Sequence, residues 1–315
     1  MPRAVSLHQH TTFSFLDGHG TPTQHAQRAA ELGYTALAVT EHGNVSSHFQ
    51  FEKACNKIGI KPIFGIEAYT SPRELMERQT KYHLTILAQN QTGYRNLNLA
   101  VTRSFQQHKW HPTMTGDDLV EFGEGLIIIS GCSGSYMACN LIGGKGIDAP
   151  ETTAQKWAAY EKVGRIAETF ARQFPGRFYL EVQAFPELPG THLINRAYAR
   201  LSRELGIPMA MTLDVHYVRP EDNEMQVILH ACGPQGRGQA TADEMTRRWN
   251  YDVLLTLPPT DKIMAKKLID TGIPREQAWE AVMITESIAL ECDVKLQKAD
   301  RLRYPIGEED WKPWT

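Results

Sequence analysis

The chain has 315 residues, of which 42% are hydrophobic and 22% charged, and its formal net charge is −3. That length can bury a sizeable core, and the composition is ordinary for a globular protein. It excludes a globally basic nucleic-acid binder, although a local basic groove or bound cations could still receive phosphates.

The first apolar stretch, residues 4–7, predicts a strand ending at His8 and His10. Thr21 as N-cap, Pro22 at the first helical position and Gln24 three residues after the cap predict a helix that stops at Gly33. Residues 36–40 form a short continuous apolar run, as buried parallel strands do. Asn44 is the expected cap of a helix reaching Ile58, and residues 62–66 predict a third strand with Glu67 directly after it. Further strands are predicted at 84–88, 126–130, 178–182 and 209–213, and helices at 91–105, 154–174 and 192–205. Seven strands mostly separated by helices indicate an α/β fold with a parallel sheet, which can close into a barrel. Near residue 229 the pattern changes. Gly233-Pro234-Gln235-Gly236-Arg237-Gly238 is a turn-rich break, and helices follow around 243–249, 261–271 and 274–292. The expected organisation is a barrel over 1–230 and a mainly helical extension over 231–315.

No apolar run approaches the roughly 20 residues a membrane span needs, and no signal-peptide layout opens the chain. The expected location is the cytoplasm, and the five cysteines, without a C-x-x-C, read as reduced thiols.

Nine side chains of metal-ligand type lie at or beside the predicted strands: His8, His10, Asp17, His42, Glu67, His83, Cys132, Asp214 and His216. That is too many for one ion and suits a cluster. In parallel α/β barrels the loops after the strands gather at one face and build the site. The H-x-H at 8–10 and the D-x-H at 214–216 fit this, because period-two alternation points both members to one side. One carboxylate can bridge two ions, which lowers the pKa of bound water and stabilises the oxygens of a phosphoryl group. The implied chemistry is hydrolysis. Each residue alone has a plainer reading: Cys132 as a small buried side chain, Asp17 as a turn residue, Glu67 as a salt-bridge partner. Their coincidence at strand ends carries the inference. His83 precedes its strand, so barrel logic alone does not select it. Histidines 19, 25, 48, 108, 111, 192 and 230 are assigned mainly to surfaces and loops. Among them, His108-Lys109-Trp110-His111-Pro112 reads as an exposed loop with one packed Trp or as a base-stacking patch.

The opening motifs resemble those of the PHP (polymerase and histidinol phosphatase) domain: His8-Gln9-His10-Thr11, Ser14-Phe15-Leu16-Asp17-Gly18 and Thr40-Glu41-His42-Gly43-Asn44. The closer resemblance is to the PHP domain at the N-terminus of bacterial DNA polymerase III alpha subunits. It extends through residues 59–69, 83–85, 92–97, 130–132 and 214–218, and more weakly through 286–292. It implies a distorted (β/α)7 barrel that binds two to three divalent ions, zinc foremost, with manganese or iron as alternatives. By that resemblance His8, His10, Glu67 and Asp214 hold the first ion. Glu67 bridges to a second, held also by His83 and Cys132, and Asp17, His42 and His216 hold a third. Asp214, Glu67 and His216 are the residues expected to carry catalysis.

The chain departs from the family pattern in three places. Glu41 replaces the usual Asp beside His42, and its extra methylene is expected to weaken support for the third ion. The 69–82 loop is short, which would leave the site open. The chain ends at Thr315, before a polymerase core would begin, so polymerisation is not expected of it. The implied activity is a metal-dependent phosphoesterase, a 3′→5′ exonuclease on single-stranded or primer–template DNA ends. The alternatives are a phosphomonoesterase or pyrophosphatase on small substrates, and a metal-stabilised module that docks a polymerase core or proofreading subunit; the partners expected besides DNA are a separate polymerase core or replisome subunit.

Overall fold

The computed structural model of the chain describes residues 3–72, 80–107, 111–233, 240–248 and 250–297. Its centre is a curled mixed sheet with the order β1 (Ala36–His42), β2 (Lys61–Thr70), β3 (Tyr82–Ala88), β5 (Leu126–Ile129), β6 (Phe178–Gln183) and β7 (Met209–Thr212). A two-residue β4 (Thr113–Met114) adds to β2. The expected α/β class holds, and so does the run of strands from 36 onward.

The first stretch is not a strand. Residues 4–10 make only isolated bridges, Ser6 to Leu37 and Gln9 to Val215, both parallel. Ala38 and Thr40 donate to Ser6 and Gln9 on one side, while His10 donates to Val215 and Val215 to His8 on the other. The segment thus closes the sheet on itself by bonding to both edges.

The sheet is also not all parallel. β3 runs antiparallel to both β2 and β5, with Tyr69 opposite His83 and Glu67 opposite Thr85. Its first residues therefore lie at the same end of the barrel as the last residues of its neighbours. That reversal brings His83 to the expected face.

The strands alternate sides with period two. Leu37, Val39, Ile128, Leu180 and Met211 pack outward in the main core, whereas Ala38, Ile63, Leu87, Ile129, Tyr179 and Ala210 fill the barrel interior. Along the interior rows, side chains turn from apolar to polar in one direction: Ala38, Thr40, His42; Ile63, Gly65, Glu67; Leu87, Thr85, His83; Tyr179, Glu181, Gln183; Ala210, Thr212, Asp214. One end of the barrel is a hydrocarbon plug and the other a polar cup.

The outer shell comprises α1 (Pro22–Leu32), α2 (His48–Ile58), α3 (Gln91–Gln107), α4 (Gly116–Glu121), α5 (Tyr136–Ile142), α6 (Thr153–Gln173) and α7 (Pro189–Leu205). α1 has the predicted capping box between Thr21 and Gln24 and ends at left-handed Gly33. Asn44 does not cap α2. Its side chain instead accepts from Ser46 and donates to Phe13 and His42 carbonyls, and the helix starts at His48.

The C-terminal region contains α8 (Asn223–Cys232), α9 (Ala242–Arg248), α10 (Asp261–Asp270) and α11 (Arg275–Glu291). Residue 230 lies within α8. Met264, Leu268, Ala278 and Val282 join the main core, and Ile288, Ala289 and Cys292 close the apolar end of the barrel interior. Residues 73–79, 108–110 and 234–239, which include parts of the expected short loop, the His108-Lys109-Trp110-His111-Pro112 patch and the expected turn-rich break, lie outside the described residues. No described helix is long and apolar enough to cross a membrane. All five cysteines are unpaired.

Candidate metal centre

The polar cup gathers all nine expected residues. Three groups have candidate ligand atoms within 4.8 Å of one another: His8, His10 and Glu67; Glu67, His83 and Cys132; and His10, His42 and His216. Asp214 joins the first group, with Oδ1 3.4 Å from Nε2 of both His8 and His10. Asp17 joins the third, with Oδ2 2.8 Å from His42 Nε2 and 3.5 Å from His216 Nε2.

Glu67 sits at the junction. It lies inside β2, three residues before the strand ends and not after it as expected, is buried, and sits directly across from His42 in the β1–β2 register. Its Oε1 is 2.7 Å from His83 Nδ1 and 3.3 Å from Cys132 Sγ, and its Oε2 is 2.6 Å from His42 Nδ1. One carboxylate thus touches two of the groups with different oxygens. Cys132 reaches it because Gly131 turns the chain at φ 84°, where a Cβ would sit 2.3 Å from the His83 carbonyl oxygen. Asp214 also has positive φ, 44°, an uncommon conformation for a residue with a side chain.

Other residues fix the rings. Glu181 Oε1 lies 3.0 Å from His8 Nδ1 and accepts from Thr212, while Thr85 donates to its Oε2. Ser14 Oγ is 2.8 Å from His10 Nδ1, and the Asp214 carbonyl is 2.7 Å from His216 Nδ1. In these three rings Nδ1 is engaged and Nε2 faces the centre, the arrangement that fixes tautomer and orientation in metal-ligating histidines, whereas His83 turns its Nδ1 to Glu67 and Cys132. The buried Glu41 carboxylate accepts from Thr11 and Ser14. It therefore supports the turn beside His10, and reaches His42 only through Ser14 Oγ, which accepts the His42 backbone N–H.

Burial opposes every charge here, yet partners overcome it for most groups. The imidazoles of His83 and His42 hold Glu67 well below the usual carboxylate range against burial. Asp17 is likewise lowered, by His216, His230 and His42. Against burial, their carboxylate neighbours push His42 up to about 10 and His216 up to about 9. Burial and the adjacent His42 and His216 pull His10 down to about 3. Burial, then Glu67 and Asp214, push the Cys132 thiol well above its ordinary value.

A model of the PHP domain family matches residues 6–185. The chain belongs to the PHP domain family. Among curated relatives, DNA polymerase III subunit alpha of Treponema pallidum (strain Nichols) is 33% identical over 236 residues, 73% of this chain and 19% of the relative. The Thermus aquaticus subunit is 31% identical over 314 residues, 95% of this chain and 23% of the relative. An error-prone DNA polymerase of Symbiobacterium thermophilum is 32% identical over 235 residues, 69% of this chain and 20% of the relative. The chain spans about a fifth of the length of these relatives.

Three participants in this PHP domain's site, Glu181, His230 and Gln226, escaped the sequence reading. Glu181 lies inside β6 with no motif around it; only its place in an otherwise apolar buried run, Phe178 to Val182, sets it apart. His230, assigned to the surface, is buried on α8. Its Nε2 meets Asp17 Oδ1, and its Nδ1 lies 2.7 Å from the Tyr251 hydroxyl. Gln226, one turn earlier on α8, also donates to Asp17 Oδ1. His25 and His48 are buried as well, against backbone carbonyls.

Proposed function

We propose that this chain is a metal-dependent phosphoesterase, and that it acts as a 3′→5′ exonuclease on single-stranded or primer–template DNA ends. The observation that carries the reading is Asp214 Oδ1. This buried carboxylate oxygen makes no hydrogen bond, although the Nε2 atoms of His8 and His10 lie 3.4 Å away. Buried acceptors are rarely left without a donor, and a cation among these three atoms would satisfy all of them.

The donor set fits divalent ions: imidazoles with oriented ring nitrogens, carboxylates and one thiol favour zinc, with manganese or iron as alternatives. His8, His10, Glu67 and Asp214 would hold one ion, Glu67, His83 and Cys132 a second, and Asp17, His42 and His216 a third. Bound there, such ions supply an activated water and charge stabilisation for a phosphoryl group. Glu67 spans the centre with its two oxygens. Asp214, held off its usual backbone conformation, aims a free oxygen inward, and His216 is oriented by the Asp214 carbonyl. Glu181 fixes His8 from behind. The relatives, DNA polymerase III alpha subunits among them, support DNA as the substrate and a polymerase core or replisome subunit as a partner of residues 231–315.

Labelled single-stranded DNA with Mn²⁺ or Zn²⁺ tests the reading. Wild type should shorten it from the 3′ end, and Asp214→Ala, Glu67→Ala and His216→Ala should fall to background. Cleavage that persists undiminished in folded Asp214→Ala and Glu67→Ala would place the activity elsewhere.

A further inference from the structure

Two lysines stand at the His83–Cys132 side of the cup, and the cluster makes no use of either. Lys145 is presented by a tight turn, Gly143-Gly144-Lys145-Gly146, closed by paired hydrogen bonds between Gly144 and Ile147. Lys145 itself has φ 49°, in the left-handed region that a residue with a Cβ enters at a cost. The Tyr82 hydroxyl donates to its carbonyl, and its Nζ donates to the Lys81 carbonyl at 2.9 Å. The ammonium reaches the edge of the cluster. A methyl carbon added to Gly134 would lie 2.9 Å from Lys145 Nζ and 3.1 Å from His83 Nδ1, so the two groups share one face of that glycine.

Lys81 Nζ lies 4.2 Å from the centre of the Tyr69 ring, and that ring is 5.6 Å from His83 and 6.0 Å from His42. Both lysines are half-buried, and among the described residues neither forms an ion pair with a carboxylate. Burial pulls Lys145 below the ordinary lysine value, and burial followed by the charge of Lys145 does the same to Lys81, while Glu67 acts on both in the opposite sense without pairing with either.

Two like charges, partly desolvated and brought together by a strained turn, are an unfavourable arrangement without an anion to hold. Ring contact with Tyr69 offsets part of the cost for Lys81, and one carbonyl serves one of the three donors of Lys145. We infer that Lys81 and Lys145 form an anion subsite beside His83 and Cys132 that takes the oxygens of a phosphate group of the substrate. This deepens the phosphoesterase reading and rests on it for the identity of the ligand. The phosphate could be the scissile one or the next along a polynucleotide, and the chemistry of recognition is the same for both.

Inorganic phosphate is the first probe, titrated calorimetrically into the full chain as purified and into Lys145→Gln, Lys81→Gln and Lys145→Arg. Each Gln variant should bind phosphate about tenfold more weakly or worse, and the Arg variant should recover most of the loss. Metal content, measured in parallel, should not change. Should Lys145→Gln fail to fold, Lys81→Gln decides, because that ammonium contacts an aromatic ring and not the turn. Unchanged phosphate affinity in folded Lys81→Gln and Lys145→Gln overturns the subsite.

Steady-state hydrolysis separates the two readings. If wild type hydrolyses nothing while phosphate binding still depends on the lysines, the subsite stands and the hydrolase reading falls. If wild type hydrolyses DNA and the variants keep both KM and phosphate affinity, the reverse holds. Raised KM with unchanged kcat supports the subsite. If this is confined to oligonucleotides, it takes the neighbouring backbone phosphate; if a chromogenic monoester shows it too, it takes the scissile one.

Discussion

The buried histidines of this protein fall into two populations that burial alone does not separate. His48 and His25 lie in the shell around the barrel. His48 Nε2 is 3.0 Å from the Gly65 carbonyl and its ring packs against Phe64 and Tyr94, while His25 Nε2 is 2.9 Å from the His19 carbonyl. Burial lowers both to about 4, so both are neutral and act as polar core residues. His8 and His10 are equally enclosed, and His42, His83 and His216 nearly so, but all five face carboxylates or one another. The difference lies in partners: a backbone carbonyl satisfies one proton, whereas several carboxylates and ring nitrogens crowded together leave demand for more cationic charge.

That contrast predicts different outcomes for removing a member of each population. The largest effect is expected from Glu67→Ala, which takes away the oxygens shared by two groups. Elemental analysis should find two to three divalent ions per wild-type chain, and the variant should lose most of them. His48→Gln should retain the full count.

Changing the residues that stand behind the rings should give intermediate effects. Glu181→Ala leaves His8 Nδ1 without its carboxylate, and metal affinity should fall about 10–100-fold by competition with a chromogenic chelator. His230→Ala should act only on the ion nearest Asp17. The expected result is loss of one ion at limiting metal while the others stay bound; full occupancy would reduce His230 to a packing role.

In the shell the effect should be on stability. His48→Ala should cost about 2 kcal/mol in urea unfolding through the lost hydrogen bond and the space left behind, with metal content unchanged. The smallest effect concerns pH. The folded values near 4 for His25 and His48 lie below the ordinary 6.5, so their contribution is complete above pH 6.5. As pH falls from there toward 4, the unfolded chain takes up protons that the folded chain refuses, and stability drops. Metal-free protein carrying His48→Gln should lose less stability over that window than wild type. Equal slopes would show that His48 does not remain neutral.

Much of the fold was legible because burial writes itself into period. The runs at 126–130 and 209–213 read as strands, each one residue longer than observed, and Thr21-Pro22 read as a helix start, since each signal is local. The first stretch misled because residues 4–7 have strand composition, while their bonding is divided between two edges and forms no continuous ladder. The candidate site was legible where ligands follow strands. His83 needed the direction of β3, which the composition of residues 82–88 does not encode. Glu181 and His230 depend on contacts with distant parts of the chain, with His8 and Asp17, and no spacing announces such pairs.

The way residues 4–10 close the sheet also sets an order of events during synthesis. The bonds of His8 and His10 to Val215 and their approach to Asp214 wait for a segment translated roughly 10–40 s after them. Until then the first residues can pair only with β1, and the barrel stands open along one seam. Ring closure and completion of the cup are therefore one late step, the slow long-range kind that limits folding rate. Nascent chains arrested before Met209 should fail to retain an ion between His8 and His10, whereas chains released with β7 emerged should capture it as the seam closes.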